Sequence, residues 1–272
     1  MTKVLSIEDA AATVPDGSRI AFGGGGGLMR RPLDFARALI RRGATDLHVF
    51  NFLGGIEIDM LVGAGAVAST NCAYIGLLEY GQAPNFQRLV REQALDVNEY
   101  SEFMFSLGLR AAELGLPFVP SRAPWGSEII EQLLLKTVTD PYTGVEFVAI
   151  PAMELDIAVI HVERVDEDGY VERPDEPDLI WDYDYTIARV ARTTIVTAEE
   201  IAPPRHPDRV AVIGREVDIV VEAPRGSWPA GMHPRYAPDV EHVYDVYVPA
   251  AQAGGSAFDD YLRAHVLEGV DS

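Results

Sequence analysis

Glycine fills every position from Gly23 to Gly27, and after Leu28 and Met29 come two cations, Arg30 and Arg31. A side-chain-free run lets a ligand touch the backbone and collect N–H groups aimed at an anion or a developing oxyanion. Arg30 and Arg31 would add attraction for a phosphorylated or carboxylated ligand. The plainer reading is a floppy turn with two solvated arginines. The run is no nucleotide P-loop, because Gly-Lys-Ser/Thr does not follow, and Leu28 in the sixth place spoils a dinucleotide fingerprint. Glu102 follows Ser101, a good N-cap, so its carboxylate sits in a first helical turn where the dipole favours the ionised form. There it is a base for water rather than an acid, or simply a complement to the dipole. Glu99, three residues back, reads as its solvated neighbour. Glu79, in Glu79-Tyr80-Gly81, follows an apolar run and reads as a substrate-lining residue at a strand end, against an ordinary loop.

Other reactive types are less promising. His161 ends an apolar run and reads as a satisfied core histidine. His206 and His233 lie among prolines. No histidine pair has metal-ligand spacing and Cys72 has no partner, so no metal site is expected. Ser127 lacks a G-x-S-x-G setting. Asp178, Asp182 and Asp184 read as a solvated helix face.

The elements that must carry these residues alternate in type. Ser18–Phe22 reads as a buried strand and Leu33–Arg42 as a helix, with apolar residues at Leu33, Phe35, Ala36, Leu39 and Ile40, Pro32 in its first turn and Gly43 past its end. The glycine run therefore fills a strand-to-helix turn. Ser6 caps a short N-terminal helix. Further strands are expected over Leu47–Phe50, Val67–Ile75, Leu95–Val97, Val145–Ile150, Ile157–Val162, Thr194–Val196 and Val217–Val221. Helices are expected over Ile58–Val62, Phe86–Gln93, Glu102–Leu114, Ser127–Leu135, Asp178–Val190 and Asp259–Leu267. Pro117–Pro120 reads as an extended exit from its helix, and Pro151 as a link between two strands. Such alternation implies an open, mainly parallel α/β sheet with helices on both faces. One domain over residues 1–272 is expected, with 224–272 as a C-terminal arm and helix.

Composition narrows the partners. With 272 residues and 48% hydrophobic content, a full core can be buried, and the net charge of −20 repels nucleic acid and anionic membranes. A phosphorylated ligand would need a local basic patch or another chain. The single Cys72 fits a reducing cytoplasm, and no apolar leader or membrane-length run is read in the sequence.

The order of these pieces resembles the α (A-type) subunit of class I CoA-transferases, the glutaconate CoA-transferase branch in particular. The resemblance is carried by Asp16-Gly17, Phe22-Gly23-Gly24, Arg31-Pro32, Thr45-Asp46-Leu47, Asp59 to Gly63, Leu109 to Pro120, Val148 to Pro151, Asp156 to His161 and Ala223 to Gly226. It implies an obligate β subunit, usually in an α2β2 assembly, with the active site between the two chains and acyl-CoA and carboxylic acids as substrates. In such enzymes a β-subunit glutamate attacks the thioester and carries CoA; no counterpart of that motif is read in this chain. The glycine loop would line the site, near the reacting carbonyl, and the β subunit would bind most of the CoA. The ring-cleaving hydrolases of steroid degradation share this architecture without the nucleophilic glutamate. They carry an acidic residue matching Glu102, which would then activate water, but also a tryptophan in the glycine loop that this chain lacks. A non-catalytic ligand sensor on the same fold is the third reading.

Overall fold

The computed structural model describes residues 3–178 and 180–268. Its centre is a parallel sheet formed in chain order by β1 (Arg19–Phe22), β2 (Leu47–Gly54), β3 (Val67–Ile75), β4 (Asp96–Glu99), then β8 (Ile157–Val165), β10 (Thr193–Ile201) and β12 (Ile219–Glu222). The spatial order is β12-β10-β8-β1-β2-β3-β4, every neighbouring pair parallel. Two short strands, β9 (Val171–Glu172) and β11 (Val210–Val212), extend it in antiparallel fashion beyond the end of β8. The strand order runs one way from β1 to β4 and the other way from β8 to β12. The β1/β8 boundary is therefore a topological switch point, where open α/β sheets leave a crevice for a ligand.

Helices cover both faces, as expected. The helices α1 (Ile7–Ala12), α2 (Leu33–Arg42), α3 (Ile56–Gly63) and α4 (Pro84–Arg91) lie on one face, where Phe35, Leu39, Ile58 and Leu61 pack against Ile20 and Phe22. On the other face α5 (Glu102–Glu113) and α7 (Trp181–Val190) bury Phe105, Leu109, Tyr183 and Ile187 against Ala21 and Ile160. The alternation of β1 explains this: Ile20 and Phe22 point one way and Ala21 the other. The expected caps form. Ser6 accepts from the Asp9 N–H, Ser101 accepts from the Met104 N–H, and Gly43 closes α2 at φ 75°. Among the described residues no helix is long and apolar enough to cross a membrane.

Two parts of the chain differ from the expectation. The strand over Val145–Ile150 does not join the main sheet. As β7 (Glu146–Pro151) it pairs antiparallel with β5 (Phe118–Ser121) and β6 (Lys136–Thr139) in a separate three-stranded sheet, with α6 (Ile129–Gln132) beside it. Pro120 sits in β5, an edge strand, where a missing N–H does not break a ladder. The other difference is at the C-terminus. A π-helical turn over His242–Tyr247 leads into α8 (Val248–Ala253), and α9 (Gly255–Leu262) starts four residues before the expected Asp259, continuing as a π-turn over Arg263–Leu267. Proline and glycine at Pro249, Gly254 and Gly255 masked these helices in the sequence.

This C-terminal segment packs on the back of the glycine loop. Leu28, Leu33, Ile56, Met60 and Leu77 share a cluster with Ala230, Val243, Tyr247, Phe258 and Val266. At its centre is Asp59, fully buried on α3. The Tyr247 hydroxyl donates to Asp59 at 2.6 Å, the Phe86 N–H at 2.8 Å and the Asn85 amide at 3.3 Å. One carboxyl thus ties α3, α4 and the C-terminal segment together.

Burial pushes the Asp59 carboxyl up to about 6, against the pull of its donors. A carboxyl raised by folding holds its proton more tightly in the folded state. The stability it contributes is complete below the ordinary value of 3.8 and is lost as pH rises through about 6. Each unit of that window corresponds to about 1.4 kcal/mol. Asp59→Asn should remove this dependence. Denaturation compared between pH 4 and 7 should show the variant gaining on the parent as pH rises, and a constant difference would contradict the assignment.

Candidate active site

The glycine run leaves the C-terminal end of β1, at the switch point. It is not floppy. The Gly23 N–H donates to the Val159 carbonyl at 2.8 Å, the Gly24 N–H to Asp184 Oδ1 at 2.8 Å, and the Gly25 N–H to the Met29 carbonyl at 2.9 Å. These three N–H groups are satisfied within the protein rather than presented to a ligand. Gly26, half-buried, is the least enclosed member of the run. Four of the five glycines, all but Gly26, lack room for a Cβ, Gly25 and Gly27 most severely. A Cβ on Gly25 would lie 2.0 Å from Asp178 Oδ2, and one on Gly27 would lie 2.3 Å from the Leu77 carbonyl oxygen.

Arg30 and Arg31 depart most from expectation. Neither is a solvated cation; Arg30 is 5% exposed and Arg31 is 1% exposed. Arg30 grips Asp178 with Nε at 2.7 Å and Nη2 at 3.1 Å, and its Nη1 pairs with Asp184. Arg31 donates to the Leu53 carbonyl at 2.7 Å, to Glu57 Oε1 at 3.2 Å and to the Gly26 carbonyl. Its own N–H is held by the Ser227 hydroxyl at 2.8 Å, and the Arg30 N–H by the Gly231 carbonyl at 2.8 Å, so the Pro-rich stretch after Pro224 straps the loop down. Burial pushes the Asp184 and Glu57 carboxyls up, against the pull of Arg30 and Arg31. Burial alone would lower Arg30, but Asp184 and Asp178 outweigh it and keep the guanidinium charged.

The acids of this clamp were misread or missed in the sequence. Asp184 is completely buried and Asp178 is bound to Arg30, whereas Asp182 is exposed. The signal was present: Asp184 shares the inward stripe of α7 with Tyr183, Ile187 and Ala188. An acid inside an apolar stripe marks a buried partner. Glu57, one residue into α3, carried no such signal. His161 is, as expected, a satisfied core histidine, with Thr197 Oγ1 at 2.9 Å on Nδ1 and Glu199 Oε1 at 3.0 Å on Nε2. Glu199 also accepts from the Tyr236 hydroxyl at 2.5 Å and the Arg225 N–H at 2.8 Å.

The two remaining candidates stand at neighbouring strand ends. Glu79 is exposed in a 3-10 turn (Leu78–Tyr80) just past β3. Glu102 is exposed at the first position of α5, just past β4, and the next residue, Phe103, is 60% exposed. Below Glu102 a cleft of about 520 Å³ runs between α5 and α7. Phe52, Leu109, Ile180 and Tyr183 line it, with Ser106 and Arg110 also on its wall. Ser106 lies one turn after Glu102 and donates to its carbonyl at 3.0 Å. The strand ends thus carry, on one side of the sheet, a clamped glycine loop, the two exposed carboxylates Glu79 and Glu102, and a cleft of ligand size.

Known proteins share this fold. The family described as coenzyme A transferase matches residues 4–223. The chain belongs to the coenzyme A transferase family. It is 31% identical over 262 residues to the A-type subunit of glutaconate CoA-transferase from Acidaminococcus fermentans, covering 87% of this chain and 79% of that one. It is 32% identical over 273 residues to the cholesterol ring-cleaving hydrolase IpdA subunit of Mycobacterium tuberculosis, covering 94% and 91%. The crystal structure of the A. fermentans glutaconate CoA-transferase superposes with a TM-score of 0.90 at 28% identity, covering 99% of this chain and 90% of that one. The chain spans 54% of the length of a 34%-identical Archaeoglobus fulgidus protein. Within the family it is thus of the A type, and both branches suggested by its sequence are represented among these relatives.

The clamp can be tested without any substrate. Asp184→Ala leaves a buried guanidinium with one partner lost, which should cost about 3–5 kcal/mol. Asp182→Ala, two residues away and exposed, should change stability by less than about 0.5 kcal/mol. Equal denaturation midpoints for the two variants would show that the clamp carries no weight.

Proposed function

We propose that this chain is the α subunit of a heteromeric enzyme that moves CoA between carboxylic acids, with the nucleophilic glutamate on a β subunit. The observation that carries this reading is the half-built site. The glycine loop is held at the switch point by its hydrogen bonds, but Glu79, Glu102 and Phe103, at strand ends on the same side of the sheet, are solvent-exposed. Acyl transfer needs a dry, pre-organised pocket. A second chain laid over the strand ends supplies the dry wall and the carboxylate that attacks the thioester carbonyl. In this arrangement Gly26 lies nearest the reacting carbonyl, Glu79 lines the pocket, and the cleft along α5 holds the acyl group. Arg30 and Arg31 act by fixing the loop rather than by touching CoA. The pocket takes acyl-CoA as substrate, with no other cofactor. We place the enzyme in the cytoplasm, since Cys72, the one cysteine, is buried in β3.

The surface supports a partner. Phe118, Pro120, Val138, Phe147, Ala149 and Pro151 fall on one face of the β5-β7-β6 sheet by register, while Val148 and Ile150 pack inward on Met104 of α5. In the segments that join these strands Trp125 is 47% exposed, Leu134 76% and Tyr142 94%. Apolar surface gathered this way on an acidic chain marks a protein interface. The inner face of the small sheet packs on Met104 at the start of α5, the helix that carries Glu102 and Phe103. An α2β2 assembly satisfies the outer face. Leu134→Asp should leave the melting of the single chain unchanged and weaken assembly with the co-expressed partner by at least about tenfold. Undiminished co-purification would remove Leu134 from the interface.

The exposed Glu102 keeps a second reading alive, in which it activates water to open a ring of a CoA-thioester substrate. Glu102→Gln in the assembled enzyme separates the two. For a transferase, exchange of CoA between an acyl-CoA and a free carboxylate persists within about threefold, and borohydride reduction marks the partner chain only. If exchange is absent from the parent enzyme and a CoA-dependent ring opening falls by about 10²-fold or more in the variant, as expected on losing a general base, the hydrolase reading replaces it.

A further inference from the structure

Beyond the turn that carries Glu79, α4 and the C-terminal segment enclose a groove of about 630 Å³ that the site described above does not use. Arg88 and Arg91 come from α4, Tyr80 from the turn after β3, and Tyr244 and Gln252 from the C-terminal segment. No carboxylate lines it among the described residues. That is unusual on this chain, where 42 acidic residues face 22 basic ones. Most arginines here are consumed by carboxylates. Arg91 is not: its guanidinium donates to the neutral Gln87 at 2.8 Å, and no carboxylate pairs with it among the described residues. Arg88 reaches Glu92 only at 3.5 Å and donates to the Asn85 amide at 3.2 Å. The Tyr80 and Tyr244 rings stand 6.3 Å apart, tilted by 55°. Glu79 and Asp245 are neighbours in sequence of these tyrosines, but neither lines the groove.

The groove is also placed to serve the reactive loop. Tyr80 ends the short turn that starts after Leu77, and the Leu77 carbonyl presses directly on Gly27. One turn of chain thus separates the glycine loop from the groove mouth, both on the strand-end side of the sheet. Planar guanidinium groups recognise phosphate oxygens, and aromatic rings flank a nucleobase without regard to its identity. We propose that this groove binds the phosphorylated adenosine end of the CoA thioester, with Arg88 and Arg91 on phosphate and Tyr80 and Tyr244 beside the base. The proposal rests on the functional reading above and departs from it in one respect: this chain, and not only the partner, holds part of CoA.

The test uses the enzyme assembled with its partner and one acyl group carried either on CoA or on pantetheine, which lacks the nucleotide. Arg91→Glu should lower kcat/KM for the acyl-CoA five- to tenfold and for the acyl-pantetheine by less than about twofold, and the difference should shrink at high salt. Tyr80→Ala should act in the same direction. The same reversal at Arg263, exposed and outside the groove, should leave the ratio between the two thioesters as it is in the parent. An unchanged ratio in Arg91→Glu, or an equal fall on both thioesters, overturns the proposal. Should neither thioester react with the parent enzyme, it is the functional reading that fails. Titration with 3′-phosphoadenosine 5′-diphosphate then decides the groove: binding weakened by Arg91→Glu supports it, and binding that is absent or insensitive to the change overturns it.

Discussion

Two guanidinium groups shut away from water set the shape of everything around them. Burying a charge is costly unless it is paired and hydrogen-bonded, and here the pair of cations follows a run of five glycines with only Leu28 and Met29 between. Arg30 must find Asp178 and Asp184, and Arg31 must find Glu57 and the carbonyls of Leu53 and Gly26. The glycines follow from that requirement. Gly25 is glycine because Asp178 occupies the space a methyl would take, and Gly24 lies against the Arg31 chain in the same way. The turn is poor in side chains so that others can close over it, and the result is a rigid loop rather than a mobile one.

The clamp also joins the two halves of the sheet. The acids on and just before α7 lie between β8 and β10 in the chain, on one side of the switch point, while Arg30 leaves β1 on the other. Pairing Asp184 with both Arg30 and the Gly24 N–H holds the loop at the place where the strand order reverses. Such a pair need not add net stability over an apolar substitute. What it contributes is position, fixing the backbone of the loop through named hydrogen bonds. The C-terminal segment acts in the same sense from behind, through Tyr247 on Asp59 and Ser227 on Arg31.

How much of this the sequence disclosed depends on range. The strand, glycine turn and helix around residues 19–42 were legible because each is specified by neighbours: alternation, proline at the helix start, glycine at its end. Glu102 was legible for the same reason, its cap being one residue away. The clamp was not, since Asp178 and Asp184 lie about 150 residues beyond Arg30 and Glu57 is on a different element from Arg31; only Asp184 leaves a trace, as an acid in an apolar stripe. The separate sheet escaped because its strands are short, rich in proline at their ends and identical in pattern to strands of a parallel core. Nothing local distinguishes β7 from a member of the main sheet; what does so is that β5 and β6 compete for it. The relation to CoA-transferases was read from the order of many weak motifs, and several of these now have physical meanings. Asp59 is the tie between α3 and the C-terminal segment, and Arg31 is half of the clamp.

The exposure of Glu102 bears on which chemistry the family member performs. A carboxylate in water at a helix terminus is already solvated and stabilised, and abstracts a proton poorly until its surroundings lose water. As either a base or a pocket wall it therefore depends on what covers it, and within this chain the nearest cover is Phe103, itself 60% exposed. The chain thus fixes the glycine loop at the switch point but leaves Glu102 open to solvent. Relatives that transfer CoA and relatives that cleave rings resemble this chain almost equally, so the difference between them lies in particular groups rather than in the fold.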